Sequence, residues 1–131
     1  MEINILIVLG ILFIHFVADF IFQTDWQAQN KSKAWKPLLS HTFTYSVIWM
    51  LPICILLGIE KPNEVSNWYV CNTLLFVLIT FLCHTITDYF TSRLNSRLWE
   101  KKQVHNFFVS VGADQLLHYI QLILTFYYLT K

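Results

Sequence analysis

The sequence predicts an all-α polytopic membrane protein, a single domain over residues 1–131, with four transmembrane helices arranged as two hairpins and joined by basic interfacial linkers. Three observations predict it. The chain is 56% hydrophobic, 17% aromatic and only 13% charged, where a soluble domain carries about 25% charged residues. Apolar stretches long enough for the roughly 20 residues that a span requires recur four times. The cations, finally, collect in two alternate linkers. A formal charge of +1 leaves no field for gripping nucleic acid along one face, so the expected partner is the bilayer.

The first span is expected over residues 3–22. Glu2 stands where a secretion signal would carry positive charge, and no small-residue cleavage site follows, so this segment reads as retained. Residues 23–37 hold Lys31, Lys33 and Lys36, and Thr24 with Gln27 forms a capping box that predicts a short helix on the membrane surface. The second span is expected over 38–58, kinked where Pro52 removes a helix hydrogen bond. The third covers 68–90. Its linker, 91–108, holds Arg93, Arg97, Lys101 and Lys102, with Leu94 and Leu98 four apart beside Trp99, a second interfacial pattern. The fourth span covers 109–129.

Only Lys61 and Lys131 lie on the opposite side. Short loops rich in Lys and Arg stay cytoplasmic, so both termini are expected outside. Trp26, Trp35 and Trp99 then mark the inner interface, and Trp68, Tyr69, Tyr127 and Tyr128 the outer. Cys54, Cys71 and Cys83 lie in apolar stretches without CxxC spacing and read as buried residues that fill the core.

Inside these spans stand residues that a bilayer normally excludes. The first holds His15 and Asp19, the third His84 and Asp88, the fourth Asp114 and His118, and the second opens with His41. Each pair is four residues apart, hence on one helix face and roughly 6 Å from its mate. The order reverses in the span that runs the other way, which layers the three Asp near the inner surface and their His one turn deeper. HFVADFIF also loosely repeats as HTITDYFT, so a pseudo-twofold axis along the membrane normal is expected. An Asp at a span centre costs about 2.5–3.5 kcal/mol on the insertion scale, so three of them demand compensation.

Three compensations fit these residue types. Divalent metal is the first, since His nitrogens and carboxylate oxygens from facing helices bind zinc or non-haem iron and build di-metal centres in bundles. Direct His–Asp pairing between helices is the second, and a proton or ion path the third. The candidate metal ligands are His15, Asp19, His41, His84, Asp88, Asp114 and His118, for one or two ions, zinc first and iron or manganese as alternatives. His41 and Asp114 are also the candidate catalytic groups, with His41 either a further ligand or the general base. Gln115, beside Asp114, and Gln23, one turn beyond Asp19, could orient ligands, whereas His105 reads as solvated.

HFVADFIFQTDWQAQNKS, then His41 after Trp35, then HTITDYF and DQLLH, resemble in that order a family of short bacterial and bacteriophage membrane proteins catalogued as domain of unknown function 3307. The resemblance spans nearly the whole chain. It implies a bacterial inner-membrane or phage-encoded protein and supplies no activity. The arrangement is also similar to membrane-bound metal-dependent hydrolases and to the ceramidase and adiponectin-receptor group, which hold zinc with His and Asp from several spans, although this chain has fewer spans.

The leading expectation is a metal-dependent hydrolase acting on a lipid or lipid-linked substrate from the cytoplasmic leaflet. The competing class is non-enzymatic: a proton or metal conduit, or a small membrane effector. A conduit requires polar residues continuing to the outer face, where Thr73 and Gln121 are the notable ones. Two copies, a homodimer, could be needed to close a site.

Overall fold

The computed structural model describes residues 4–131; Glu2 and Ile3, the latter the expected start of the first span, lie outside them. All the regular structure among the described residues is helical. Helix α1 (Ile5–Phe16) starts on Asn4, whose side chain accepts from the Leu6 amide, and runs into a π-helical turn at Val17–Ile21. The short α2 (Asp25–Asn30), α3 (Trp35–Ile48) and α4 (Met50–Glu60) follow, then the long α5 (Ser66–Glu100) and α6 (Val104–Thr130).

Three helical segments are long and apolar enough to cross a membrane: Trp35–Glu60, Ser66–Glu100 and Val104–Thr130. The first apolar helix, Ile5–Ile21, is shorter than a full span. Its last turn departs from α-helical winding just where Asp19 sits. The break between α3 and α4 falls at Trp49, one turn before Pro52, because the prolyl ring cannot donate to the carbonyl one turn back.

The expected linker 91–108 is not a separate surface helix. It continues α5 to 35 residues, about 52 Å at 1.5 Å per residue, well beyond a hydrocarbon core of about 30 Å. Leu94, Leu98 and Arg97 therefore extend one rod, which ends at a tight turn where Lys102 takes φ 57°. The other linker follows expectation. Thr24 accepts from the Gln27 amide, and the Gln27 side chain accepts in return from the Thr24 amide. Thr24→Ala should cost about 1 kcal/mol, and hydrogen exchange at Gln27–Lys31 amides should accelerate while that of α6 stays unchanged.

The bundle reverses the soluble pattern. On α5 the buried positions are Thr73, Phe76, Thr80, His84, Asp88 and Ser92, nearly all polar and three or four apart. Leu74, Leu78, Leu82, Ile86 and Phe90 of the same helix are exposed. A greasy perimeter around a polar seam is stable where acyl chains, not water, are the solvent. Cys54 and Cys71 belong to that perimeter: both are exposed, against the expected burial, because all-round apolar helices give no sequence sign of which face turns inward.

Helix α5 packs on α3, α4 and α6, and α1 packs on α6. One end of the seam is apolar, with Ile7, Ile11, Trp49, Ile53, Phe76, Leu122 and Phe126 at its core. The other end holds the polar cluster.

Candidate metal centre

All seven candidate residues are buried and converge in one connected cluster. His15, His41, His84, Asp88 and His118 are at most 1% exposed, Asp19 3% and Asp114 9%. Their helices place them: the π turn carries Asp19 toward α3, α3 supplies His41 on its second turn, and α5 and α6 supply the remaining pairs. A π turn is a frequent device for re-aiming a side chain at a functional site.

Two groups of three could hold a metal ion, Asp19–His41–His84 and His84–Asp88–His118. Around the first, His41 Nε2 lies 3.0 Å from Asp19 Oδ1, 3.2 Å from His84 Nε2 and 3.3 Å from Asp88 Oδ2. His84 Nε2 lies 3.5 Å from Asp19 Oδ1 and 3.7 Å from Asp88 Oδ2. A tetrahedral site with bonds of about 2.0–2.1 Å separates its ligand atoms by about 3.3–3.4 Å. These five edges scatter about that value.

Alignment makes the same point. Although His41 Nε2 is 3.0 Å away, Asp19 Oδ1 is buried with no aligned hydrogen bond. The two imidazole nitrogens pair with each other at 3.2 Å, and Asp19 Oδ1 beside them is left over. An orphaned buried carboxylate oxygen costs roughly 1–3 kcal/mol or more, and a cation there would satisfy it.

Asp88 joins the two halves. Its Oδ2 faces His41 and His84, while its Oδ1 lies 3.3 Å from His118 Nε2. His118 Nε2 is also 3.4 Å from Asp114 Oδ1. The His84 ring, stacked between Tyr45 at 3.9 Å and His118 at 4.1 Å, belongs to both groups.

The two HxxxD segments make contacts that match only in part. Asp19 meets His41 much as Asp88 meets His118, but His15 does not mirror His84. Its Nδ1 pairs with the Tyr45 hydroxyl at 2.7 Å and its Nε2 with Gln115 Oε1 at 2.8 Å. Both ring nitrogens are thus engaged outside the two groups. Since Gln115 Oε1 can only accept, His15 carries its proton on Nε2 and accepts from Tyr45 on Nδ1.

Gln115 orients acids as its position suggests, donating Nε2 at 3.1 Å to both Asp19 Oδ2 and Asp114 Oδ2. Gln23 donates to the Asp19 backbone carbonyl and, among the described residues, forms no hydrogen bond with a carboxylate. His105 is exposed. Thr91 donates to Asp114 Oδ1 at 2.6 Å. Tyr45 and Thr91 escaped the sequence reading, yet each lies within one turn of a named ligand, Tyr45 four residues after His41 and Thr91 three after Asp88.

Lys31 also escaped it. Read from sequence as a membrane-surface cation, it folds inward from the end of α2 and places Nζ 2.7 Å from Asp88 Oδ2. Burial opposes its charge, but the carboxylates of Asp88 and Asp19 more than offset burial and raise its pKa above 10.5. No spacing rule reveals this contact, because the length of the α2 turn sets it.

Residues 5–131 match the family described as Protein of unknown function (DUF3307). No curated protein and no solved structure matches the chain.

Proposed function

The chain belongs to that family, and from the geometry of its buried cluster we propose that it is a membrane-embedded, metal-dependent hydrolase acting on a lipid or lipid-linked substrate. The observation that carries this reading is the buried donor set Asp19 Oδ1, His41 Nε2 and His84 Nε2, with Asp88 Oδ2 beside both histidines and Asp19 Oδ1 left without a hydrogen bond. Zinc suits this donor set best, and iron or manganese accept it as well. His84, Asp88 and His118 offer a second position. His15 positions Gln115 and Tyr45 and leaves the ligation to the others.

Divalent metal, when bound, supplies a water acidified toward neutrality and a Lewis acid for the ester oxygen. Asp114 is the most exposed of the seven and is held by Thr91 and Gln115, which suits it to accept the proton of the attacking water. The water oxygen bonds to the ester centre, the bond to the alcohol oxygen breaks, and the proton passes from Asp114 to that oxygen. His41 acts as a ligand in this scheme.

A four-span topology in a bacterial inner membrane, with the basic turns cytoplasmic and both termini outside, fits the placement of Lys and Arg. On the far side of the cluster, Trp49, Phe76, Leu122 and Phe126 are at most 3% exposed. These large side chains pack beside the buried hydroxyls of Thr73, Thr80 and Thr125, and no further acid or histidine lies among the described buried residues on that side, which favours a site entered from one side over a conduit. In mixed micelles, the purified chain should hydrolyse a fluorogenic lipid ester, and a chelator or Asp114→Asn should slow it at least a hundredfold. Turnover indifferent to both would overturn the reading.

A further inference from the structure

A cleft of about 480 Å³ lies between the α2 turn, the extension of α5 and the start of α6. Lys31, Ser92 and Asn95 form its polar side, and Trp99, Phe107 and Phe108 its aromatic side. Lys31 is shared with the metal centre through Asp88, so the cleft ends one side chain from the cluster.

Two polar atoms here lack partners. Ser92, only 8% exposed, makes no hydrogen bond through Oγ, and neither does Asn95 through Oδ1. On the same helix, Thr85 donates to the carbonyl four residues back. Ser92 forgoes that bond while lining the cleft. Buried polar atoms are ordinarily satisfied, so this pair marks a place where a ligand completes the bonding.

The chemistry of that ligand follows from the walls. A lysine ammonium, a free hydroxyl and a carboxamide whose amino group can turn inward suit an anion with several acceptor oxygens. The neighbouring cleft, which shares Ser32 and Ser96, adds Lys33, Arg93 and Arg97 against the single acid Glu100 and leaves the rim net cationic. Trp99, packed against Phe107 at 5.1 Å between ring centroids, offers an apolar face to whatever carries the anion.

We propose that this cleft binds the phosphate headgroup of a membrane lipid, with the aromatic wall covering the glycerol end of its chains. The proposal deepens the hydrolase reading, on which it rests only for naming that lipid as substrate. Binding itself requires no metal.

The test is titration of the full chain in detergent, metal-loaded and metal-stripped, with dihexanoyl phosphatidate, dihexanoylglycerol and inorganic phosphate. Phosphatidate should bind both forms at least tenfold more tightly than either fragment. Ser92→Phe, which fills the cleft, and Asn95→Leu should each weaken phosphatidate at least tenfold without changing metal content. Equal binding of dihexanoylglycerol would remove the phosphate, equal binding of inorganic phosphate would remove the lipid, and unchanged affinity in both variants would remove the cleft. A protein that takes up no metal yet passes these tests overturns the hydrolase reading alone.

Discussion

Replacing His84 with alanine is expected to weaken metal binding at least about a hundredfold, exceeding the 10- to 100-fold losses typical of residues that only orient ligands. His84 is the one residue common to both ligand groups. His15→Ala should fall in the lower range, since both ring nitrogens of His15 serve Tyr45 and Gln115. His105→Ala, at an exposed position, should change nothing. Metal analysis of the detergent-purified chain measures this directly. Less than about half an equivalent of any transition metal in the wild type, unaltered by Asp19→Ala combined with Asp88→Ala, would leave direct His–Asp pairing as the explanation of the cluster.

Much of this site was legible because acids in apolar helices are expensive and helical spacing is rigid. His15 with Asp19, His84 with Asp88 and Asp114 with His118 each share a face by the four-residue rule, and three acids in apolar helices have to meet something. That reasoning brought seven residues together without a structure. It could not tell which way a ring turns. His15 and His84 occupy matching places in the repeat, yet one is bound by Tyr45 and Gln115 and the other faces the acids.

The fold was legible to a similar depth. Apolar runs located the helices, Thr24 and Gln27 located the cap, and Pro52 located the break. The extent of α5 was not, because Arg93, Arg97 and Leu94 fit a surface helix and a protruding rod equally well. Winding at Val17–Ile21 carries no residue signature either; the π turn is a tertiary response that delivers Asp19 to His41.

Lys31→Met is expected to act in opposite directions on stability and on metal affinity. Lys31 Nζ lies 2.7 Å from Asp88 Oδ2, the same oxygen that faces His41 and His84. The ammonium and a metal ion therefore compete for one acceptor. Without metal, the substitution leaves a buried carboxylate short of its cation, and breaking such a pair costs about 3–5 kcal/mol. With metal bound, the ion supplies the missing charge, and the affinity for zinc should rise by several fold. Because the folded Lys31 pKa is raised above its ordinary 10.5, the ion pair's contribution is complete at neutral pH and is lost only as pH climbs through that higher value. The difference between wild type and Lys31→Met in thermal midpoint of the chelator-treated protein should accordingly be flat from pH 6 to 9. It should shrink once pH passes about 10.5. A variant that loses metal together with stability would show that Lys31 supports the cluster instead of competing within it.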